Sequence, residues 1–240
     1  MDGDLTVVRP QEDGDTELAQ ASAGEAVGRV DTIKGNVFVT HTDGTKVKAE
    51  SGQDIFQGDV VETDASGAIG IVFADDSTFS LAEAGEMTID EMIYDPGGQE
   101  GSAALSVTQG VFTFVSGQIA KTAVNAMVVN TPTATIGIRG TMVAGRAAQE
   151  GAENTISLLP ETDAQGNQSV GELSVTNQGG TVTLNSIGAT VQMSSAFQAP
   201  PPPVVFSPQQ IQQSFGGALT TLSTTAAAKA DADAAKGAEE

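Results

Sequence analysis

The chain has 240 residues, with Lys+Arg 10 against Asp+Glu 31 and a formal net charge of -21. It has no cysteine and one histidine, His41, which excludes disulfides, thiolate metal sites, a cysteine nucleophile and any multi-histidine centre. So acidic a chain has no basic face for nucleic acid or an anionic membrane, because such contacts need clustered Lys or Arg.

Residues 1–26 are acidic and polar without a period, and a disordered leader is expected there. A secretory signal needs a basic start and an apolar stretch of roughly 7–15 residues. Here Asp2 and Asp4 lead, and the longest apolar run is Val7-Val8. No window approaches the roughly 20 apolar residues of a membrane helix, so no membrane insertion is expected. On these residues alone the plain reading is a cytoplasmic chain; the sharper one is export without a classical signal peptide, to the cell surface or the medium, with the periplasm as the alternative.

From Val27 the pattern turns to short β-rich runs broken by Gly and Asp: VGRVDTI, GNVFVTHTDGTKV, GDVVET, GAIGIVF, STFSLA and EMTIDEMIY. Thr42-Asp43-Gly44-Thr45 is a hairpin turn signal. Asp95-Pro96-Gly97-Gly98 opens a polar loop. A second β block follows, in which Phe112 and Phe114 share one face and are assigned to the core. With only 4% aromatic residues, that core must rest on small and β-branched side chains. The fold class predicted is all-β, an irregular stacked-strand domain, solenoid- or sandwich-like, over 27–198. Residues 199–208 contain four consecutive prolines, Pro200–Pro203, and read as an extended linker that ends the globular part. Ser207 can cap a helix with Pro208 at its first position. Ile211, Phe215, Leu219 and Leu222 then mark a short amphipathic helix over 209–225, weakened by Gly216-Gly217. Residues 226–240 read as a disordered Ala/acidic tail.

Few residues suggest chemistry. His41 sits beside a turn and reads as an exposed turn histidine, since no G-x-S-x-G elbow accompanies it. Asp75-Asp76 and Asp90-Glu91 are adjacent carboxylates. Neighbours on a strand point to opposite faces, so neither doublet makes the pair a glycosidase needs. A cleft holding two carboxylates with a basic residue would reopen that reading. Oxygen-rich turns leave calcium as the one cation to consider, but the calcium-loop patterns are absent, and no cofactor is expected. Arg139 lies in IGIRGT, within the most apolar part of the chain. It reads as a buried guanidinium clamping neighbouring turns, with Gly140 and Thr141, or as a partner contact.

These residues carry a resemblance. Asn130–Gly145, NTPTATIGIRGTMVAG, resembles the V-x-T-P-x-A-x-x-x-V-R-G-T-x-F stretch of the FecR domain family, with Thr131, Pro132, Arg139, Gly140 and Thr141 at its fixed positions. Upstream, Gly58, Asp59, Thr63, Gly67, Phe73, Asp75, Ser77, Leu81 and Ile89 match the family's G-D-x-V-x-T and F-x-D-G-S pattern. Asp76 replaces the usual glycine, and Met142 the usual aromatic. The resemblance spans about Val27 to Val191. It implies an extracytoplasmic all-β domain. In the best-known relatives that domain relays a signal from an outer-membrane transporter to a sigma factor through a membrane helix; others are large exported surface proteins. Neither the membrane helix nor the cytoplasmic segment is seen here. The expectation is therefore a non-catalytic interaction or scaffold module that binds a protein or cell-envelope partner through its strand faces and edges. A soluble periplasmic signalling module is the first alternative. A polysaccharide-active β-solenoid enzyme is the second.

Overall fold

The computed structural model describes residues 24–95, 101–123, 125–162 and 167–236. The acidic leader expected over 1–26 lies, through residue 23, outside the described residues. The first block holds β1 (Gly28–Lys34), β2 (Val37–Thr40), β3 (Lys46–Lys48), β4 (Asp54–Ile55), β5 (Val60–Thr63), β6 (Ala68–Phe73), β7 (Thr78–Leu81) and β8 (Glu86–Tyr94). A long strand, β9 (Gly101–Val115), leads to a 3-10 turn at Ile119–Lys121. Then come β10 (Met127–Asn130), β11 (Thr135–Arg139), β12 (Met142–Ala147) and β13 (Asn154–Leu159). A small hairpin, β14 (Glu161–Thr162) with β15 (Gln168–Ser169), precedes β16 (Glu172–Asn177), β17 (Gly180–Leu184), β18 (Ala189–Met193) and β19 (Val204–Val205). The chain ends in α1 (Pro208–Lys236).

Seventeen of the strands form one hydrogen-bonded network, and β9 is its spine. Its first half joins a sheet ordered β3-β2-β5-β8-β9-β10-β11-β16-β17. Its second half joins a sheet ordered β4-β1-β6-β7-β9-β12-β13-β18-β19. Every pairing is antiparallel except β9 with β10. The strand changes sheets at Gly110, whose φ of 107° lies in the region that favours glycine. The Cβ of any other residue there would sit 2.5 Å from the Gly85 Cα.

The two sheets face each other as a sandwich. Val39, Val61, Ile89, Leu105, Ile136 and Val175 from one sheet meet Ile71, Phe79, Phe112, Phe114, Val143 and Ile156 from the other, in one fully buried cluster. Phe79 stacks on Phe112 with centroids 5.9 Å apart, and Phe114 tilts against Phe79 at 6.4 Å. Outward residues of the β9 first-half sheet alternate with these and are mostly polar, apart from Phe38, Val60, Ala104 and Val128, as expected of a sheet with one solvated face.

The other sheet is not solvated outside. In β6 and β7 nearly every residue is buried, on both faces. Its outward side chains are small (Gly70, Ser80, Thr113 and Ala144), and α1 lies across them. The helix presents Phe215, Ala218, Leu222 and Thr225, spaced three or four apart and buried. Phe215 packs on Ala144 and Leu159, flanked by Val111 and Met142. Thr225 Oγ1 contacts Thr32 Oγ1, and a Cβ on Gly70 would meet that same Thr225 oxygen at 1.8 Å.

Three boundary expectations are corrected here. The globular part does not end at 198, because Val204-Val205 pairs with β18 and the helix returns onto the sheet. The helix is longer than 209–225. It begins at Pro208 behind a reciprocal cap, in which the Gln210 amide donates to Ser207 Oγ at 3.3 Å and the Ser207 amide to Gln210 Oε1 at 2.9 Å. It runs through most of the segment read as a disordered tail. The reason is composition: an Ala-rich stretch extends an already nucleated helix at little cost. Lys229 Nζ, within that stretch, pairs with Asp76 at 2.7 Å.

Candidate functional site

The expected motif residues divide among separate structural tasks. The Gly58-Asp59 turn is the most informative. Gly58 has φ 88°, and a Cβ there would lie 2.4 Å from the Thr42 methyl. The 41–45 hairpin loop therefore rests directly on glycine backbone, which brings His41 to Asp59. Asp59 is 1% exposed. Its Oδ1 lies 2.8 Å from His41 Nδ1, and its Oδ2 accepts the Phe56 amide at 2.9 Å. The backbone of the turn is tied to β8, with the Gly58 amide donating to Ile89 O and the Ile89 amide to Asp59 O. His41 is thus half-buried, paired to a carboxylate and edge-on to Phe56 at 6.1 Å. It is not the exposed turn histidine expected, because the partner that holds it lies 18 residues away in sequence.

This pair walls a cleft of about 690 Å³ at one end of the sandwich. Phe56, Met92, Tyr94 and Val27 supply apolar lining, and Glu25 and Asp43 supply acid. Asp43 Oδ1 accepts the Thr45 amide at 2.8 Å, and that backbone hydrogen bond holds its carboxyl below the usual range. The cleft does contain carboxylates with an imidazole, the combination that would reopen the enzyme reading. Yet both Asp59 oxygens are engaged and sealed, and Asp43 is biased to its charged form. A glycosidase needs one carboxyl kept protonated as the acid. Neither aspartate is placed to be that acid, and Glu25, the third carboxylate of the cleft, lies exposed on its rim.

Thr63 is a buried brace. Its Oγ1 donates to Ala82 O at 2.6 Å and accepts the Gly85 amide at 2.8 Å. Thr131 closes the β10–β11 turn over Pro132: its amide donates to Ala134 O at 2.8 Å, and its Oγ1 accepts the Ala134 amide at 3.2 Å. Pro132 itself is exposed.

Arg139 is the clear correction. It is exposed at the end of β11, not buried. Strand alternation explains this: Ile136 and Ile138 point into the core, so Gly137 and Arg139 share the outward register. The clamp at this corner is Thr141, fully buried. Its Oγ1 donates to Leu159 O at 2.9 Å, and its amide donates to Ser116 Oγ at 2.9 Å. Gly140, with φ 61°, makes the turn between them. Arg139→Ala should therefore change stability by no more than about 0.5 kcal/mol, within the scatter of Tm in thermal denaturation. Thr141→Val, which removes the buried hydroxyl donor, should lower it clearly. Equal large losses for both would restore the guanidinium clamp.

The two carboxylate doublets also resolve. Asp75 is buried and structural, its Oδ1 accepting the Ser77 amide and hydroxyl and its Oδ2 the Ile119 amide. Asp76 takes φ 68°, the conformation that suits the glycine it replaces. Asp90 and Glu91 do not point to opposite faces. A register shift between Ile89 and Glu91 turns both outward, where Ser106 and Ser102 of β9 donate to them. Among the described residues no group of three or more His, Asp or Glu side chains is placed to hold a metal. No described helix is long and apolar enough to cross a membrane. The candidate site that sequence reasoning missed is the His41–Asp59 cleft. Its signal was the Gly58-Asp59 dipeptide, which says that a loop must rest on that glycine but not which loop.

No curated protein matches this chain. Among solved structures, two of a "putative anti-sigma factor" from Parabacteroides distasonis ATCC 8503 are similar at 12% identity, with TM-scores of 0.48 and 0.45. Each alignment covers 64% of this chain and 62% of the other, less than two thirds of its length. That likeness is too slight to bear on function. The family described as FecR protein matches residues 59–160. The matched span contains Asp59, the buried Asp75, the Thr131 turn and the Thr141 clamp. Over residues 59–160 this chain is similar to the FecR protein family.

Proposed function

We propose that this chain is a non-catalytic, protein-binding regulatory module that acts outside the cytoplasm, its FecR domain receiving a protein partner in signal relay. This reading ranks the signalling role above the interaction or scaffold module expected from the sequence, since the FecR match favours a regulator. The observation that carries it is the cleft built on the Gly58-Asp59 turn, whose Asp59 is the first residue of the FecR match. Its apolar lining and acidic rim suit a partner's apolar side chain accompanied by a basic one. The fixed polar pair, His41 and Asp59, sits among buried apolar side chains such as Val27 and Met92, while the exposed rim is largely polar.

The test is site-specific photocrosslinking in the native host, combined with fractionation and protease shaving of intact cells. A crosslinking residue at Thr45, on the cleft rim, should yield one discrete protein adduct in an extracytoplasmic fraction. The same residue at Asp90, on the solvated sheet face, should yield none. A chain retained inside and protected from protease, or crosslinks equal at both positions, would overturn the proposal.

A further inference from the structure

The two ends of the sandwich are chemically unlike. At the end formed by β3 and β4, the outermost strands carry Lys46, Lys48 and Asp54. Lysines on an edge strand discourage another strand from adding there. At the other end the outermost strands are β17 and β19, and they carry no charge at all. Between Glu172 and Lys229 the sequence has no Asp, Glu, Lys, Arg or His, in a chain where 17% of residues are charged. That stretch supplies β17, β18, β19 and the proline segment. Nearby carboxylates from outside it are occupied: Glu150 accepts the Ala196 amide, and Glu153 accepts from Gln192.

The same flank is apolar and open. Four of the six large exposed hydrophobic residues lie on it: Ile187 at 49%, Phe197 at 66%, Val204 at 51% and Val205 at 70%. The segment 195–206 is held at both ends. Asn177 Nδ2 donates to Ser195 O and Gln198 O, and the Phe206 amide donates to Gly188 O. β17 pairs only with β16, and among the described residues no backbone bond reaches the outer edge of Thr181–Leu184. Its outward side chains, Thr181 and Thr183, are exposed and neutral. The sheet therefore ends in an uncharged, β-branched strand with no lysine or proline of its own; the segment that leads into Pro200–Pro203 abuts the Gly179-Gly180 turn at its start.

We infer that this flank binds a second copy of the chain, with β17 pairing antiparallel to β17 of the other copy about a two-fold axis. Charge selects this occupant. At a net charge of -21 two copies repel over most of their surface, and this flank is where they approach without opposing charges. An isologous contact needs a self-complementary patch, and a short neutral strand edge pairs with itself in antiparallel register. The inference does not depend on the partner reading of the cleft, which lies on other elements.

The test is sedimentation velocity of the full chain from about 1 to 200 μM at low and high salt. A concentration-dependent dimer is expected. Salt should tighten it, because screening weakens the general repulsion while the contact itself holds no ion pairs. Thr181→Glu together with Thr183→Glu places like charges opposite one another across the seam. That variant should weaken the dimer at least tenfold and leave the circular dichroism and Tm unchanged. Amide exchange of the unaltered chain gives an independent reading: protection at Thr181–Leu184 should rise with protein concentration. A monomer at every concentration, a dimer that the two glutamates leave intact, or protection that appears elsewhere would each overturn the inference.

Discussion

Asp75→Ala should be among the most damaging single changes in the molecule, lowering stability by about 3–5 kcal/mol and Tm by roughly 10 °C or more. The carboxylate is fully buried and accepts three donors: the Ser77 amide at 3.0 Å, the Ser77 hydroxyl at 2.5 Å and the Ile119 amide at 3.1 Å. Ser77 and Ile119 are themselves 0% exposed, so water cannot replace the lost acceptor without opening the core. The carboxylate links the β6–β7 turn to the segment after β9, where Gly117 passes so close that a Cβ would sit 2.2 Å from Asp75 O. Asp75→Asn keeps an acceptor and should fall between the two. Thermal and urea denaturation check this. An Ala variant melting like the parent would show that the carboxylate carries no weight.

Phe215→Ala should cost about 3–5 kcal/mol, a loss expected of a core strand but here placed on the terminal helix. The ring is fully buried against Ala144 and Leu159 and is the largest side chain the helix buries, flanked on the helix by the half-buried Ile211 and Leu219 and followed by Ala218, Leu222 and Thr225. Limited proteolysis gives the second readout. Cleavage within 208–236 should accelerate well before the sandwich itself is cut. If Tm and cleavage both stay unchanged, the helix is an accessory and the outer sheet face is stable without it.

Much of the sandwich was legible because strand signals are local. Alternation assigned Phe112 and Phe114 to the core, and the hairpin turn at 42–45 is where the sequence placed it. The errors came from relations that act at a distance. Arg139 was read by the apolar residues around it, although the same alternation that buried Ile136 and Ile138 sends it outward. The helix was cut short because an Ala-rich tail looks the same in sequence whether or not a sheet waits for it. What waited was visible only as smallness, in Gly70, Ser80, Thr113 and Ala144, and small outward residues on central strands do not name their cover. In the sequence His41 is a lone imidazole and Asp59 a motif position. Their meeting depends on Thr42 resting on Gly58, which no spacing rule encodes.

The single long strand common to both sheets has a consequence for how the chain is made. As the polypeptide emerges from the ribosome, β1–β8 can pair among themselves and onto one side of β9. The other side of β9 finds its partners only when β10 and β12 have also emerged. Until then the growing chain presents a fifteen-residue strand with an unfilled edge and the phenylalanines that belong inside. Neither half is a complete body on its own, and a partial product invites capture by chaperones or by its own neighbours. A truncation near 115 should accumulate as aggregate or degradation product, whereas one that removes only the last residues of the helix should not.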